Sequence, residues 1–402
     1  MKRMLILLAA LAIASCSSSS DQAPSPATRM PEPPKSTGYS ASPADVPVGV
    51  IPAAMLHDAA RNRDVEVSID YPTKGGPFPL IVFSHDYGQS NRAYEQLVAY
   101  WTTRGYVVAR PKHADAGAVQ DAMHAIFAER PGDQKKERDR SKQPKKTSEE
   151  IRKERETAEM RERAEVWTKT GEPQWRDRAA DVDLIVSSLD AIEAKFPELK
   201  GKIAHDKIGV AGHGLGAFTA MLLGGMRTSS LSAADARVRA VLAMSPQGIA
   251  ANRGLTQQSW ADVKVPAMFM TGTEDRGAAA GEDWQWRKAG FTNSPAGDKY
   301  FVLLDGGRHA SFLGTYSPVD IRPTTSIPTT MRDPRDPYYN PQIPETQPRN
   351  GPINPQIGRQ TFSDIRVVSL AFWDAYLKSD AKGKDFLATK WDLLPGVKVE
   401  RR

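Results

Sequence analysis

Short apolar segments recur along most of the chain, separated by stretches with helical periodicity. Within each segment the apolar residues are nearly continuous and do not alternate with polar ones, as strands buried on both faces of a parallel sheet require. They are Val65–Tyr71, Pro79–Ser84, Tyr106–Arg110, Ile208–Gly212, Val238–Met244, Ala267–Thr271 and Tyr300–Leu304. The helices predicted between them are Tyr94–Arg104, Ala179–Ala194, Ala217–Leu223 and Ser363–Tyr376. Strands and helices in alternation predict one α/β domain with a doubly wound, mostly parallel sheet.

Two segments interrupt this alternation. Residues 129–170 carry a dense run of mixed charge, in which Thr147 and Glu150 have the spacing of a helix capping box. Apolar positions are sparse there, which predicts an exposed helix that touches the body on one face at most. Residues 315–360 are rich in Pro, Arg, Asn and Thr and lack periodicity, which predicts a long surface loop. The folded domain is therefore expected over residues 46–395, with both segments as insertions.

The N-terminus has the pattern of an export signal. Lys2 and Arg3 precede the apolar run Met4–Ala14, which is too short to span a bilayer as a stable helix. Small residues then precede Cys16, an arrangement that resembles a bacterial lipobox. We therefore expect residues 1–15 to be a signal peptide and Cys16 to be lipidated. An ordinary cleaved signal followed by a chance cysteine is the alternative.

The residues after Cys16 predict where the protein resides. Residues 16–45 are rich in Ser, Pro and Ala with little apolar periodicity, which predicts a flexible tether. Ser17, in place of Asp, is typical of lipoproteins sorted to the outer membrane. Cys16 is the one cysteine in the chain, so no internal disulfide can form. The prediction is an exported lipoprotein of the bacterial cell envelope, held to the membrane through Cys16.

The charge balance does not indicate a nucleic-acid partner. Lys and Arg total 54 against 48 Asp and Glu, a net charge of +6 on a large, mixed-sign total. Acids interleave the bases throughout the charged insertion, so a solvated surface explains the pattern. Composition does not determine the oligomeric state.

Residues 212–216 resemble the nucleophile elbow of a hydrolase. A buried strand runs into the turn Gly212-His213-Gly214-Leu215-Gly216 and then into a helix, with glycines where strand and helix pack closest. The central position, which normally carries the nucleophile, is Gly214. The segment also matches the dinucleotide-binding pattern G-x-G-x-x-A. That alternative is disfavoured, because the next strand ends in Ser245-Pro246 and supplies no ribose-binding acid.

Further candidate residues follow the elbow in the order of a catalytic triad. Asp275 follows one predicted strand and His309 the next, and a carboxylate there would orient the imidazole as a general base. The loop after Pro79–Ser84 and the residue after the elbow's centre would supply the oxyanion hole. Its candidate residues are Asp86, Tyr87 and Leu215. Trp284, Trp286 and Phe312 are candidates for an apolar pocket wall, although ordinary core packing is the favoured explanation for each.

These segments together resemble the dienelactone hydrolase-like and platelet-activating-factor acetylhydrolase-like group of α/β-hydrolases. The segments that carry the resemblance are Ser84 to Gly88, Gly105 to Val108, Pro111 to Asp115, Arg176 to Leu189, Lys207 to Met221, Met270 to Asp275, Asp305 to His309 and Ala371 to Leu377. The resemblance implies a carboxylic-ester hydrolase with a Ser-Asp-His triad and neither a metal nor an organic cofactor. Within it, the acid and the base fall on Asp275 and His309. His57, His113, His124 and His205 show no metal-ligand spacing, so no metal is predicted.

The chain departs from this pattern at two positions of the site. The nucleophile falls on Gly214, and Asp86 stands where the loop usually reads His-Gly. A carboxylate beside a developing oxyanion opposes the charge that the hole must stabilise. We therefore expect the serine mechanism to be lost. Two hypotheses remain: a residual or atypical esterase in which His309 and Asp275 activate water, and a non-catalytic lipoprotein that binds a small ester, a lipid-like ligand or a peptide.

Overall fold

The structure is a computed structural model that describes residues 39, 46–117, 147, 150, 171–277, 279, 281–313, 355–389 and 391–402. The predicted signal peptide and Cys16 lie outside the described residues, as do most of the tether and of both insertions. The capping box predicted in the charged insertion is confirmed. The Thr147 N–H donates to Glu150 Oε2 (2.7 Å), and the Glu150 N–H donates to Thr147 Oγ1 (3.3 Å).

In the described part of the chain, nine strands form one sheet in the order β1-β2-β4-β3-β5-β6-β7-β8-β9. The strands are β1 (Val48–Asp58), β2 (Arg63–Pro72), β3 (Phe78–Ser84), β4 (Val107–Pro111), β5 (Ile203–His213), β6 (Val238–Met244), β7 (Ala267–Gly272), β8 (Lys299–Leu304) and β9 (Val397–Arg401). Strands β3 to β8 are parallel to one another, whereas β1, β2 and β9 pair antiparallel with their neighbours. The prediction of an α/β fold with a mostly parallel sheet is confirmed.

Helices cover both faces of the sheet. They are α1 (Glu95–Thr102), α2 (Glu172–Ser187), α3 (Leu189–Lys195), α4 (Leu215–Leu223), α5 (Trp284–Arg287), α6 (Ala289–Asn293), α7 (Pro355–Leu377) and α8 (Ala381–Thr389). Alternate residues of β3 enter different apolar clusters: Leu80 packs with α2 and α4, whereas Ile81 packs with α1 and α7. This two-sided burial explains why the central strands read as continuous apolar runs.

Each predicted element overlaps an observed one, but the helices α5, α6 and α8 were not predicted, and two further differences concern the outer strands and one helix. Each predicted strand overlaps an observed strand, but the pattern did not reveal the outer strands β1 and β9. The single helix predicted over Ala179–Ala194 is wrong, because the chain breaks at Ser188 (φ −105°, ψ 11°) and forms α2 and α3. Among the described residues, no helix is both long and apolar enough to cross a membrane.

The topology brings the candidate site residues to one edge of the sheet. Asp86 follows β3, Gly214 follows β5, Ser245 follows β6, Asp275 follows β7 and His309 follows β8. These strands are parallel, so their carboxyl ends and the loops after them lie together, where α/β folds gather their ligands and catalytic groups.

Candidate active site

The turn at Gly214 has the backbone of a nucleophile elbow. Gly214 connects β5 to α4 with φ 54° and ψ −114°, a conformation that strains any residue with a side chain. The flanking glycines permit close contact. A Cβ on Gly212 would lie 2.1 Å from the Gly216 carbonyl oxygen, and one on Gly216 would lie 1.9 Å from that of Ser84. The turn therefore has the sharp backbone predicted for the elbow, and its central residue has no side chain.

The carboxyl group of Asp86 occupies the space in which a nucleophile side chain would begin. A Cβ built on Gly214 would lie 2.0 Å from Asp86 Oδ1, 2.3 Å from its Cγ and 2.6 Å from its Oδ2. All three distances are far below van der Waals contact. Asp86 in this position therefore requires glycine at residue 214, and the two departures from the hydrolase pattern are structurally coupled.

Asp86 also engages both main-chain donors predicted for the oxyanion hole. Its Oδ1 accepts hydrogen bonds from the N–H groups of Leu215 (2.7 Å) and Tyr87 (2.8 Å). The N–H of Asp86 itself donates to Tyr94 Oη (3.2 Å). The structure thus brings Leu215, Asp86 and Tyr87 together, with a carboxylate oxygen of Asp86 where an oxyanion would bind.

The second oxygen of Asp86 faces His309. His309 Nε2 lies 2.8 Å from Asp86 Oδ2, and its Nδ1 lies 2.7 Å from Ser245 Oγ and 3.3 Å from Asp275 Oδ1. The His309 and Asp86 side chains are each 19% exposed, so both reach the protein surface. Asp86 therefore contacts both the imidazole and the main-chain donors predicted for the oxyanion hole. In a serine hydrolase the serine hydroxyl makes the first of these contacts and the substrate oxyanion makes the second.

A buried network holds Asp275 behind His309. Asp275 accepts hydrogen bonds from Thr271 Oγ1 (2.9 Å) and from Ser245 Oγ, and it forms an ion pair with Arg287 (3.0 Å). Burial alone would raise the pKa of Asp275, but the charge of Arg287 and the contact with His309 hold it well below its usual range. Sequence reasoning missed Ser245 and Arg287. The available signal for Ser245 was its place directly after a predicted strand.

Electrostatics keep Asp86 ionised. Burial opposes its charge, but the hydrogen bond with His309, the charge of His309 and the hydrogen bond from the Leu215 N–H hold the pKa of Asp86 well below its usual range. Burial and the charge of His309 lower the pKa of His213 to about 3, so this imidazole is neutral. The site therefore combines a carboxylate with an uncharged histidine at its inner wall.

The aromatic candidates separate into two groups. Phe312 is fully buried and packs against His213, with ring centroids 5.3 Å apart, so it borders the site. Trp284 packs against Phe301, and Trp286 Nε1 donates to the Ile249 carbonyl oxygen (2.7 Å). We find no contact of either tryptophan with Asp86 or His309 among the described residues.

A second Ser-His-Asp arrangement lies beneath the site. His113 Nε2 lies 2.8 Å from Ser84 Oγ, and His113 Nδ1 lies 2.8 Å from Asp181 Oδ2. All three residues are buried, with exposures of 0%, 2% and 1% for Ser84, His113 and Asp181. Substrate cannot reach a serine so placed, so this trio supports the Asp86 loop rather than acting on a ligand.

Comparison with known proteins assigns the family. Residues 53–289, more than half of the chain, match the family described as platelet-activating factor acetylhydrolase, isoform II. The chain belongs to this family. The match includes Asp86, Gly214 and Asp275, whereas His309 lies beyond its end. Membership confirms the α/β-hydrolase resemblance and indicates a protein of the esterase or hydrolase type. No curated protein is significantly similar to the chain.

Proposed function

We propose that the protein is an ester-hydrolase relative in which the serine mechanism is lost and Asp86 occupies the reaction centre. The observation that carries this proposal is the position of one carboxylate. Asp86 Oδ1 accepts the N–H groups of Leu215 and Tyr87, while its Oδ2 contacts His309 Nε2. An ester bound as in a serine hydrolase would have no nucleophile beside it, because residue 214 is glycine. The oxyanion-hole donors would already be bonded to Asp86, whose negative charge would oppose the developing oxyanion.

The hypothesis of direct water activation by His309 and Asp275 receives less support. A general base must reach the proton that it removes, within about 3 Å or through one water. His309 Nε2, the nitrogen that would face water, lies 2.8 Å from Asp86 Oδ2. Removing a triad nucleophile typically costs about 10⁶ in turnover, so any residual ester hydrolysis is expected to be slow.

The wild-type protein is therefore expected to show no serine-esterase activity towards activated esters. In buffer with a chelator, it should hydrolyse p-nitrophenyl acetate near the uncatalysed rate and should not be labelled by a fluorophosphonate. His309→Ala, which removes the imidazole of the inherited triad, serves as the matched control and should not change either result. Esterase turnover at ordinary rates that disappears in His309→Ala would contradict the proposal.

We also propose that the protein is exported and anchored through a lipid on Cys16, where it would meet small ester or lipid-like ligands. The sequence supports this proposal through the basic start, the short apolar run and the small residues before Cys16. Cys16→Ala in the producing bacterium should move the protein from the membrane to the soluble fraction, because the lipidated residue is removed. A Ser17→Ala variant should remain membrane-bound. Membrane retention of Cys16→Ala would refute the anchor.

A further inference from the structure

Two histidines and one carboxylate converge beside Gly214. Asp86, His213 and His309 each offer a ligand atom, and the three atoms lie within 4.8 Å of one another. The imidazole rings of His213 and His309 have centroids 4.4 Å apart. The Ser-Asp-His apparatus accounts for His309 but gives no role to His213.

His213 carries an unsatisfied polar atom at this place. The side chain is buried, and its Nε2 has no hydrogen-bond partner among the described residues. Its Nδ1 lies 2.8 Å from Tyr94 Oη, which leaves Nε2 as the nitrogen open to a ligand. A buried nitrogen without a partner costs free energy unless something else binds it.

Each of the three groups is also held from behind. Tyr94 Oη contacts His213 Nδ1, and Ser245 Oγ and Asp275 contact His309 Nδ1. Two main-chain N–H groups fix Asp86 Oδ1. Protein metal sites orient their ligands in this way, with the outer nitrogen of each histidine bonded to a carboxylate, a hydroxyl or a carbonyl group.

We infer that Asp86, His213 and His309 form a binding site for a divalent transition metal of the zinc class. Tetrahedral bonds of about 2.0–2.1 Å place ligand atoms roughly 3.4 Å apart, so shifts of about 1 Å would complete the site. The metal replaces the proton between His309 Nε2 and Asp86 Oδ2, which is released to the buffer. Gly214 adds no side chain to the space that the carboxylate and the ion share.

The ligand set determines which ion should bind and whether the ion keeps a coordination position for water. Two imidazole nitrogens and one carboxylate suit Zn²⁺ or Co²⁺, whereas Mg²⁺ and Ca²⁺ prefer sites made entirely of oxygen. Three protein ligands leave a fourth position for water, as in catalytic rather than structural zinc sites. The sequence did not predict this metal, because the three residues are far apart in the chain.

Metal binding can be measured on the full chain without any assay of activity. The protein is stripped with a chelator, dialysed and titrated calorimetrically with Zn²⁺, and the Co²⁺ form is recorded by visible absorption. We expect one equivalent to bind, with the intense d–d bands of tetrahedral Co²⁺, and Mg²⁺ to bind far more weakly. Asp86→Asn and His213→Gln should each weaken Zn²⁺ binding more than about 100-fold, beyond the 10–100-fold expected for Tyr94→Phe, which loses an outer contact.

The matched control is His57→Gln. His57 lies on the edge strand β1 and forms an exposed pair with Asp64 (2.8 Å), away from Asp86, His213 and His309, so Zn²⁺ binding should be unchanged. Circular dichroism verifies that each variant is folded. If His213→Gln unfolds, the Zn²⁺ affinities of Asp86→Asn and Tyr94→Phe still test the inference. The inference is overturned if no equivalent binds, if binding survives Asp86→Asn, or if Mg²⁺ binds equally well. The ester assay contains a chelator, so its result does not depend on a bound metal. The proposed loss of serine catalysis and the proposed metal site can therefore be refuted independently of each other.

Discussion

The double variant Asp86→Gly/Gly214→Ser is expected to hydrolyse p-nitrophenyl acetate at least about 10³-fold faster than the wild type, out of the roughly 10⁶ that a triad nucleophile contributes. The introduced serine would stand on an elbow whose backbone already has φ 54° and ψ −114°. Removal of the Asp86 carboxylate would release the N–H groups of Leu215 and Tyr87 for an oxyanion. His309 Nε2, which now faces Asp86, would face the new hydroxyl, with Asp275 behind it.

Each single variant should fail for its own reason. Asp86→Gly lacks a nucleophile. Gly214→Ser places a Cβ 2.0 Å from Asp86 Oδ1, so the carboxylate must move or the fold must absorb an overpacking cost of about 1–3 kcal/mol. The two changes should therefore be coupled in stability by about 0.5–3 kcal/mol, measured as a double-mutant cycle in urea.

Fluorophosphonate labelling checks the double variant independently of its turnover. Labelling and hydrolysis should appear together in Asp86→Gly/Gly214→Ser and disappear when His309→Ala is added. If Gly214→Ser alone matched the double variant, Asp86 could not be occupying the hole. A folded double variant that neither labels nor hydrolyses would show that the Asp275-His309 pair no longer supports serine chemistry.

The central strands could be predicted from sequence because two-sided burial leaves a continuous apolar run. β3 and β6 are buried along almost their whole lengths, and both were recognised. β1 lies at the edge of the sheet and alternates irregularly between buried and exposed residues, with a register shift between Ile51 and Ala54. An edge strand of that kind has no continuous apolar signal, which explains why it was missed.

Sequence order predicted which residues gather, but not how their side chains share the space. Asp275 and His309 were placed by their positions after predicted strands. Asp86 was identified as a charge that conflicts with an oxyanion hole, yet the sequence could not show that its own side chain turns into the hole. That outcome depends on the rotamer of Asp86 and on how closely its loop approaches Gly214, neither of which a residue pattern encodes.

Contacts between distant parts of the chain were likewise invisible in the sequence. Ser84, His113 and Asp181 come from β3, the segment after β4, and α2, and each residue alone reads as ordinary. Arg178 is similar: a charged residue on a helix is usually exposed, but this one is 2% exposed. Burial of polar groups is set by which elements pack together, so it follows from the fold and not from local periodicity.

Arg178→Met is expected to destabilise the fold by about 3–5 kcal/mol, because it leaves a buried carboxylate without its partner. Arg178 binds both oxygens of Asp115 (3.1 and 2.6 Å) and donates to the His85 carbonyl oxygen (2.7 Å). Asp115 in turn accepts the Gly88 N–H (3.1 Å). The loop that carries Asp86 is thus fixed by one guanidinium, and urea unfolding of the full chain measures the loss.

Arg176→Met is the matched control, since Arg176 lies on the same helix, is 59% exposed and pairs with Glu172 at the surface. Its loss should cost less than about 1 kcal/mol. Equal costs for the two variants would contradict a special role for Arg178.

The destabilisation by Arg178→Met should also depend on pH. Burial opposes the charge of Asp115, but Arg178 lowers its pKa to about 2, below the unfolded value of about 3.9. A depressed carboxyl pKa contributes stability that is complete above the unfolded pKa and is lost as the pH falls towards 2. The difference between wild type and Arg178→Met should therefore be largest near pH 7 and shrink below about pH 4, where protonation removes the buried charge. A difference that is constant across this range would assign the loss to packing rather than to the Arg178–Asp115 pair.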